Sequence, residues 1–158
     1  MADITQIRAK IETADVYEAG TDSWVYLGIA GREFLLDSGS GNDFEQGVNT
    51  CFVLGRQDKS DAHDHFTVVP VVKAEYNDPR KPQLDTDDLD HYPIYIRMEE
   101  QGSAPGWCVE RVRVSVHGSG SEHHFDNLRL DTKAENRRIW LDRRYGQRIF
   151  LRRATAKV

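Results

Sequence analysis

The sequence predicts an all-β domain, an antiparallel β-sandwich of two roughly four-stranded sheets. Two observations carry this prediction. Apolar residues alternate with polar ones over several short runs, and clusters of glycine and polar residues separate those runs. No stretch of helical length keeps an apolar stripe at a spacing of about 3.6 residues, so the crossover helices that connect parallel strands are not expected.

Six runs are predicted to be strands. In chain order they are 5–13, 25–29, 66–72, 94–98, 109–116 and 148–152. The first run alternates apolar residues from Ile7 to Ile11 with charged residues from Arg8 to Glu12, which is typical of a strand with one buried and one exposed face. Turn signals separate the runs at 18–22, 38–42, 77–82, 102–106 and 118–121.

The chain of 158 residues has room for one domain, 1–158, and not for a second. It lacks the long apolar run that a membrane-spanning helix needs, and its first residues lack the apolar core of a secretory signal. We therefore expect a cytoplasmic protein that can attach peripherally to membranes. Two cysteines, Cys51 and Cys108, cannot build a disulfide framework and fall in apolar runs, so both are predicted to be buried free thiols.

The charges are distributed unevenly along the chain. The formal net charge of −5 argues against a nucleic-acid partner. Acids predominate from 75 to 100, whereas arginines predominate after 136. These runs are consistent with two solvated faces, or with a cation site at one end and an anionic partner at the other.

Two loops beside the second predicted strand, at 20–22 and 41–47, concentrate oxygen ligands. Calcium prefers about six to eight oxygens from carboxylates and carbonyls, and the side chains of Asp22, Asn42, Asp43 and Glu45 offer that mixture. Sulfur is absent from these loops and imidazole is distant, which favours calcium over zinc or copper. The alternative is that these residues simply cap turns, as Asp and Asn commonly do.

These loops are part of a longer pattern that resembles the PLAT domain, also called the LH2 or lipoxygenase homology domain. The residues that carry the resemblance are AGTDSWVYLGIAG at 19–31, NDFEQG at 42–47, GWCVERVRV at 106–114 and Trp140 with Leu141. The resemblance covers about residues 7–141, with the motifs in the family's order. It implies a two-sheet β-sandwich that in many members binds calcium at one end, near loops that contact membranes.

The resemblance also implies specific ligands. The calcium ligands carried over by position are Gly20, Asp22, Asn42, Asp43 and Glu45. Weaker candidates for a second ion are Asp37 and Glu99 or Glu100.

Two features depart from the family pattern. An insert at about 56–91 is predicted to add an extra strand, 66–72, and a long acidic surface loop. Trp24 stands where the family has an acid, and with Tyr26 it falls on the face opposite the apolar Val25. An exposed tryptophan beside a calcium loop suits contact with a lipid surface or a partner's pocket, and the alternative is that it covers the extra strand.

Other candidate sites are weaker. The sequence has no nucleophile elbow and no phosphate-binding loop, so we expect no enzymatic activity. His63 and His65 are better explained by a polar loop than by a transition-metal site, because no third ligand accompanies them. The resemblance further implies that Trp107 and Trp140 lie in the core, where the family keeps its tryptophans.

The sequence therefore predicts a non-enzymatic, calcium-dependent module that binds a lipid surface or a protein. One alternative is a protein-interaction module with purely structural calcium and no membrane binding. Another is that the basic C-terminal face binds an anionic polymer. No disulfide-linked partner is expected.

Overall fold

The structure is a computed structural model that describes residues 2–58, 65–103 and 106–155. The described residues form ten strands: β1 Ile4–Thr13, β2 Trp24–Ile29, β3 Arg32–Leu35, β4 Asn49–Gly55, β5 Thr67–Pro70, β6 Ile94–Glu99, β7 Trp107–Gly118, β8 Ser121–Asp126, β9 Ile139–Leu141 and β10 Arg148–Ala154. They also form three short 3₁₀ helices, Thr86–Leu89, Leu128–Leu130 and Glu135–Arg137. None of these helices is long and apolar enough to cross a membrane.

The strands form two layers that one strand joins. The first layer has the order β3-β2-β6-β10, and the second has the order β8-β7-β1-β4-β5 with β9 beside β7. Because β10 pairs with both β6 and β8, the two layers are one curled sheet. The predicted sandwich is confirmed, with the difference that β5 runs parallel to β4.

The insert closes the side of the sandwich that lies opposite β10. The predicted extra strand is present as β5, at one edge of the curled sheet, and β3 forms the other edge. The chain that follows packs more tightly than a surface loop, since Leu84 and Leu89 join the core and Asn77 is buried. Irregular chain with buried apolar anchors thus occupies the space between the two edges.

Strand β1 differs from its prediction. Its charged residues Arg8, Lys10 and Glu12 are buried along with its apolar ones, so the expected exposed face is wrong. Part of the cover is visible: the ammonium of Lys10 lies 5.8 Å from the ring centre of Phe66, and Lys133 Nζ lies 2.6 Å from Glu12 Oε1. Alternation in sequence reports the two faces of a strand, but it cannot report a second layer of chain over the polar face.

The core lies between the two layers. Its fully buried side chains include Ile7, Leu27, Phe34, Phe52, Ile96 and Trp107. Both cysteines are buried as predicted, and burial raises the pKa of the Cys108 thiol to about 11.

The prediction that both tryptophans are core residues is right for one and wrong for the other. Trp107 is inaccessible and donates its indole N–H to Thr13 Oγ1 over 2.9 Å. Trp140 is 42% exposed. It lies in the short strand β9 next to the buried Leu141, and successive side chains of a strand point to opposite faces.

Candidate functional site

Four connections meet at one end of the sandwich, which we call the loop end. They are the β1–β2 loop (14–23), the β3–β4 loop (36–48), the described parts of the β6–β7 loop (100–103 and 106) and the β9–β10 loop (142–147). The opposite, or far, end carries the tight turns 30–31 and 118–121. Antiparallel pairing places alternate connections at the same end, so loops distant in sequence become neighbours here.

The first two loops of this end are bonded together. The backbone N–H of Thr21 donates to the carbonyl of Phe44 over 3.0 Å. A β-carbon on Gly20 would lie only 2.9 Å from the backbone nitrogen of Gln46, so glycine is what allows the loops to approach so closely. The ring of Phe44 is buried and meets that of Trp107 at 5.1 Å, which anchors the β3–β4 loop to the core.

Three predicted ligands share one cleft, which we call the acidic cleft. Asp22, Asp37 and Asp43 line a cavity of about 360 Å³, together with Trp24 and neighbouring backbone. No lysine, arginine or histidine is among the residues that line it. The cleft therefore gathers negative charge without a lining cation to offset it.

Two of these carboxylates also shape their own loop. Asp43 accepts hydrogen bonds from the backbone N–H and the hydroxyl of Ser38, and Asp37 accepts one from the N–H of Gly39 over 2.7 Å. Gly39 and Gly41 have φ angles of +86° and +80°, a region that favours glycine. Turn capping, the alternative considered from the sequence, is thus a real role of these residues.

The donor set fits calcium in its chemistry, because all the candidate ligands of the cleft are oxygens. As they stand, no three His, Cys, Asp or Glu side chains of the described chain are close enough together to hold a metal ion. Asn42 and Glu45 are exposed and do not line the acidic cleft. Gly20 lies beside it. The predicted calcium site stays a prediction.

Two of the three candidates for a second ion, Glu99 and Glu100, have other partners. Glu100 accepts hydrogen bonds from the backbone N–H and the Nε of Arg143, over 2.8 and 3.0 Å. Glu99 lies 3.7 Å from a guanidinium nitrogen of Arg97. Neither carboxylate lines the acidic cleft.

The two predicted contact residues differ in exposure. Trp24 is 41% exposed on the first layer, whereas β5, the extra strand that it covers in the alternative interpretation, belongs to the second. Tyr26 is half-buried, its ring lies 4.3 Å from the guanidinium carbon of Arg97, and burial raises its pKa. Glu33 holds that guanidinium with two hydrogen bonds, which lower the pKa of the Glu33 carboxyl. A contact role for Tyr26 stays a prediction.

A second cavity at the loop end was not foreseen from the sequence. This aromatic pocket measures about 800 Å³ and is lined by Glu18, Gly20, Trp140, Asp142, Arg144 and Tyr145, with Ser103 and Gly106. Gly20 lines the pocket while Thr21 and Asp22 line the acidic cleft, so one segment separates the two. The signal that was missed is the turn 142–146, which follows Trp140 and contains Tyr145.

A tight hairpin turn forms one side of the aromatic pocket. The N–H of Asp142 donates to the carbonyl of Gly146 over 3.0 Å, and the Asp142 carboxylate accepts from the N–H and Nε of Arg144 over 2.9 and 3.0 Å. These hydrogen bonds lower the pKa of Asp142. The guanidinium carbon of Arg144 lies 5.3 Å from the ring centre of Tyr145.

Four of the seven arginines that follow residue 136 have acidic partners. Arg138 pairs with Glu110, Arg143 with Glu100, Arg144 with Asp142 and Arg153 with Asp90. The last of these pairs joins the basic segment to the acidic insert. The separation of charge seen along the sequence is therefore partly neutralised in the fold, which leaves a weaker attraction for an anionic polymer.

The histidine clusters do not assemble a metal site in the described chain. His63 lies outside the described residues, and His65 is exposed with its ring 4.7 Å from that of Phe66. Nδ1 of His123 accepts a hydrogen bond from Arg153 over 2.7 Å. Burial, followed by the charge of Arg153, lowers the pKa of His123.

Comparison with known proteins supports the fold. No protein-family model and no curated protein matches the sequence. Among solved structures, coral 8R-lipoxygenase, described as calcium-activated through a C2-like domain, aligns with a TM-score of 0.51 at 18% identity, over 94% of this chain and 17% of the lipoxygenase. A lipoxygenase variant in complex with arachidonate aligns with a TM-score of 0.50 at 18% identity, over 94% of this chain and 16% of the other.

Alpha-toxin from Clostridium absonum aligns over 74% of this chain and 26% of the toxin, with 26% identity and a TM-score of 0.46. The chain thus spans less than a fifth of the two lipoxygenases. It has the PLAT fold that the sequence motifs predicted.

Proposed function

We propose that this domain is a non-enzymatic module that binds lipid surfaces through its loop end, and that calcium in the acidic cleft strengthens the attachment. The observation that carries the proposal is the set of exposed aromatic side chains at this end. They are Tyr17, Trp24, Trp140 and Tyr145, which are between 41% and 83% exposed. Tryptophan and tyrosine favour the boundary between water and hydrocarbon, because each has an apolar ring and a polar edge.

The acidic cleft is the proposed calcium site. Asp22, Asp37 and Asp43 would hold the ion, as hard oxygen ligands with no lining lysine or arginine to compete. Bound calcium would supply positive charge at a loop end that otherwise presents carboxylates to anionic lipid phosphates. Trp24 lines the same cleft, so an ion there would order the residues around an aromatic side chain.

The coral 8R-lipoxygenase supports this proposal by analogy. Its structure is described as showing calcium activation through a C2-like domain, and this chain shares a fold with part of that protein. Likeness of fold alone does not transfer activity. The argument for calcium here therefore rests on the carboxylates of the acidic cleft.

A second candidate function is protein binding with structural calcium. It is favoured by the outer surface of the first layer, where arginines stack on aromatic rings: Arg97 over Tyr26 and Arg148 over Tyr95. Phe150 lies near Tyr95 and is 54% exposed. Tyrosine, tryptophan and arginine are enriched at the centres of protein interfaces. This candidate predicts that calcium raises stability without promoting vesicle binding.

Sedimentation with vesicles of mixed zwitterionic and anionic lipids, in calcium and in chelator, tests the proposal. We expect calcium to increase the vesicle-bound fraction of the wild-type protein. We expect Asp22→Asn to lose most of this increase, because it removes one carboxylate while keeping the side-chain shape. Glu135→Gln is the matched control, since it removes one charge from an exposed residue that does not line the acidic cleft.

Thermal unfolding in calcium and in chelator accompanies the vesicle measurement. At a calcium concentration about a hundredfold above the dissociation constant, the ion should add about 2.7 kcal/mol to the free energy of unfolding. Equal vesicle binding with calcium and with chelator would remove calcium from the mechanism. Absence of vesicle binding under both conditions would overturn the lipid function and leave protein binding.

A further inference from the structure

We propose that the aromatic pocket binds a quaternary ammonium group of the kind found in a phosphocholine head group. The inference rests on the proposed function, since it names the lipid chemistry that the loop end selects. It draws on three observations: the aromatic residues of the pocket, the balance of its charges and its size.

The aromatic residues of the pocket come from separate elements. Trp140 lies in β9, whose pairing with β7 places it opposite the buried Cys108. Tyr145 lies in the hairpin turn, where its backbone N–H bonds the carbonyl of Asp142 over 3.0 Å. Both side chains are accessible, at 42% and 68%. The faces of such rings attract cations, and quaternary ammonium groups are ligands that aromatic cages suit well. The guanidinium of Arg144 already lies over the Tyr145 ring, so the Trp140 ring is the main aromatic surface for a ligand cation.

The charges of the pocket also favour a cation. Arg144 is engaged by the carboxylate of Asp142, with Nε 3.0 Å from Oδ1 and a terminal nitrogen 3.2 Å from Oδ2. The side chain of Glu18 is exposed and has no hydrogen-bond or ion-pair partner within the described ranges. The lining thus has two carboxylates and one guanidinium, which leaves one negative charge for a ligand to neutralise.

Glu18 is held in place beside the pocket. It lies in a turn closed by the bond from the Ala19 N–H to the Val16 carbonyl, over 3.1 Å. Ala19 is in turn fixed to the sheet, because its carbonyl accepts from the N–H of Cys108 over 2.9 Å. The backbone of Glu18 is therefore held by the turn and by the bond of the neighbouring Ala19 to β7.

Size and ligand type narrow the choice of cation. A primary ammonium has three N–H donors to satisfy, and a metal ion needs several oxygens. Of the two carboxylates in the lining, that of Asp142 is already engaged by Arg144, which leaves only that of Glu18 for such a ligand. A quaternary ammonium has no donor and buries methyl groups against the rings. The volume of about 800 Å³ lies within the range of small-ligand pockets and accommodates a head group.

Calorimetric titration with soluble probes tests the pocket without a membrane. The probes are phosphocholine, tetramethylammonium and inorganic phosphate, each added to the wild-type protein in calcium. We expect phosphocholine and tetramethylammonium to bind and phosphate to bind far more weakly. Trp140→Leu should weaken phosphocholine binding about 2- to 30-fold, the range expected from the loss of one cation–π contact.

Two variants and two controls separate chemistry from folding. Glu18→Gln should weaken tetramethylammonium binding by a similar factor without changing the melting temperature, because it keeps the shape of an exposed side chain. Tyr92→Leu removes an exposed aromatic ring at the far end and should bind phosphocholine as the wild type does. Glu135→Gln should do the same.

Two results of the titrations would overturn the proposal. The first is that neither quaternary ammonium probe binds, or that Trp140→Leu and Glu18→Gln bind both probes as tightly as the wild type. The second is that phosphate binds as tightly as phosphocholine, because the anion would then be the ligand.

Sedimentation with phosphatidylcholine or phosphatidylglycerol vesicles shows the source of the head group. Preference for phosphatidylcholine, reduced by Trp140→Leu, supports a lipid source. Phosphocholine binding without vesicle binding supports the pocket with a soluble ligand and overturns the proposed lipid function. If the protein binds both kinds of vesicle equally and does not bind phosphocholine, the proposed ligand of the pocket is wrong. The proposed lipid function is then still supported.

Discussion

The insert and the loop end look alike in sequence and behave differently in the fold. Both are irregular, acidic and rich in turn-forming residues. In the insert, Arg32 of β3 donates to the carbonyls of Tyr76 and Asp78 over 3.0 and 3.1 Å. The side chain of Asn77 accepts from the backbone N–H of Leu35 over 2.9 Å. The polar groups of the insert thus form hydrogen bonds with the edge strand β3.

The loop end uses its polar groups within its own loops. Asp37 and Asp43 bond the turn that contains them, and the aromatic side chains around them remain accessible. The comparison teaches that irregular chain has two uses, which are told apart by the partners of its side chains. Substitutions in the insert should therefore affect stability, whereas substitutions at the rim of the loop end should affect binding.

The largest effect on stability is expected at a buried residue beneath the loop end. Here a substitution at the loop end should affect stability and not only binding. Trp107→Ala should lower the free energy of unfolding by about 3–5 kcal/mol, because it empties a buried site and removes the hydrogen bond to Thr13. Trp140→Ala, at the exposed rim, should cost about 1 kcal/mol or less. Urea unfolding followed by circular dichroism measures both. Similar losses in the two variants would mean that the rim is as structural as the core.

An intermediate effect is expected in the insert. Asn77→Ala should lower the free energy of unfolding by about 1–3 kcal/mol, because it leaves the Leu35 N–H without its bond. Asn42→Ala, the exposed counterpart at the loop end, should stay within about 0.5 kcal/mol of wild type. The same urea titration compares them. Equal stability of the two variants would contradict a structural role for the insert.

The smallest effect is expected on the pH dependence of stability. It arises at His123, beside the ion pair of Arg153 with Asp90 of the insert. Burial and Arg153 lower the pKa of His123, with Asp90 opposing and His124 adding to the shift. The unfolded chain therefore binds the proton more tightly, so stability should fall as pH drops from above about 6.5 through the lowered pKa. His123→Gln should flatten this part of the stability profile, measured by urea unfolding between pH 7.5 and 5.

The loop-end variant Gln46→Ala serves as a control for this pH profile, because it removes no titrating group. It should keep the wild-type slope. A His123→Gln profile that is as steep as that of the wild type would place the pH dependence elsewhere in the molecule.

Much of the fold could be predicted because alternation and turn residues are local signals. The runs that became β2, β6, β7 and β10 were visible for this reason. The burial of Lys10 and Glu12 was not, because it depends on Phe66 and Lys133, which are distant in sequence. A charged side chain in an alternating strand indicates exposure only when nothing else covers that face.

The site was predicted in the same uneven way. The family motif located Asp22 and Asp43, and the fold does bring them to one cleft with Asp37. The aromatic pocket was missed because it combines the β1–β2 loop with the turn after β9, more than a hundred residues later. The core position expected for Trp140 rests on the family resemblance, and nothing in the sequence indicates that β9 is short and partly exposed.

The position of β10 has a consequence for how the protein is made. This strand pairs with one layer through β6 and with the other through β8, and it follows all of them in the chain. While the ribosome is still adding residues 148–154, the two layers lack the strand that joins them, and the faces of both are open. The two layers are therefore joined only after residues 148–154 have paired with both, and until then their apolar faces stay open to solvent, which favours aggregation of the partly folded chain.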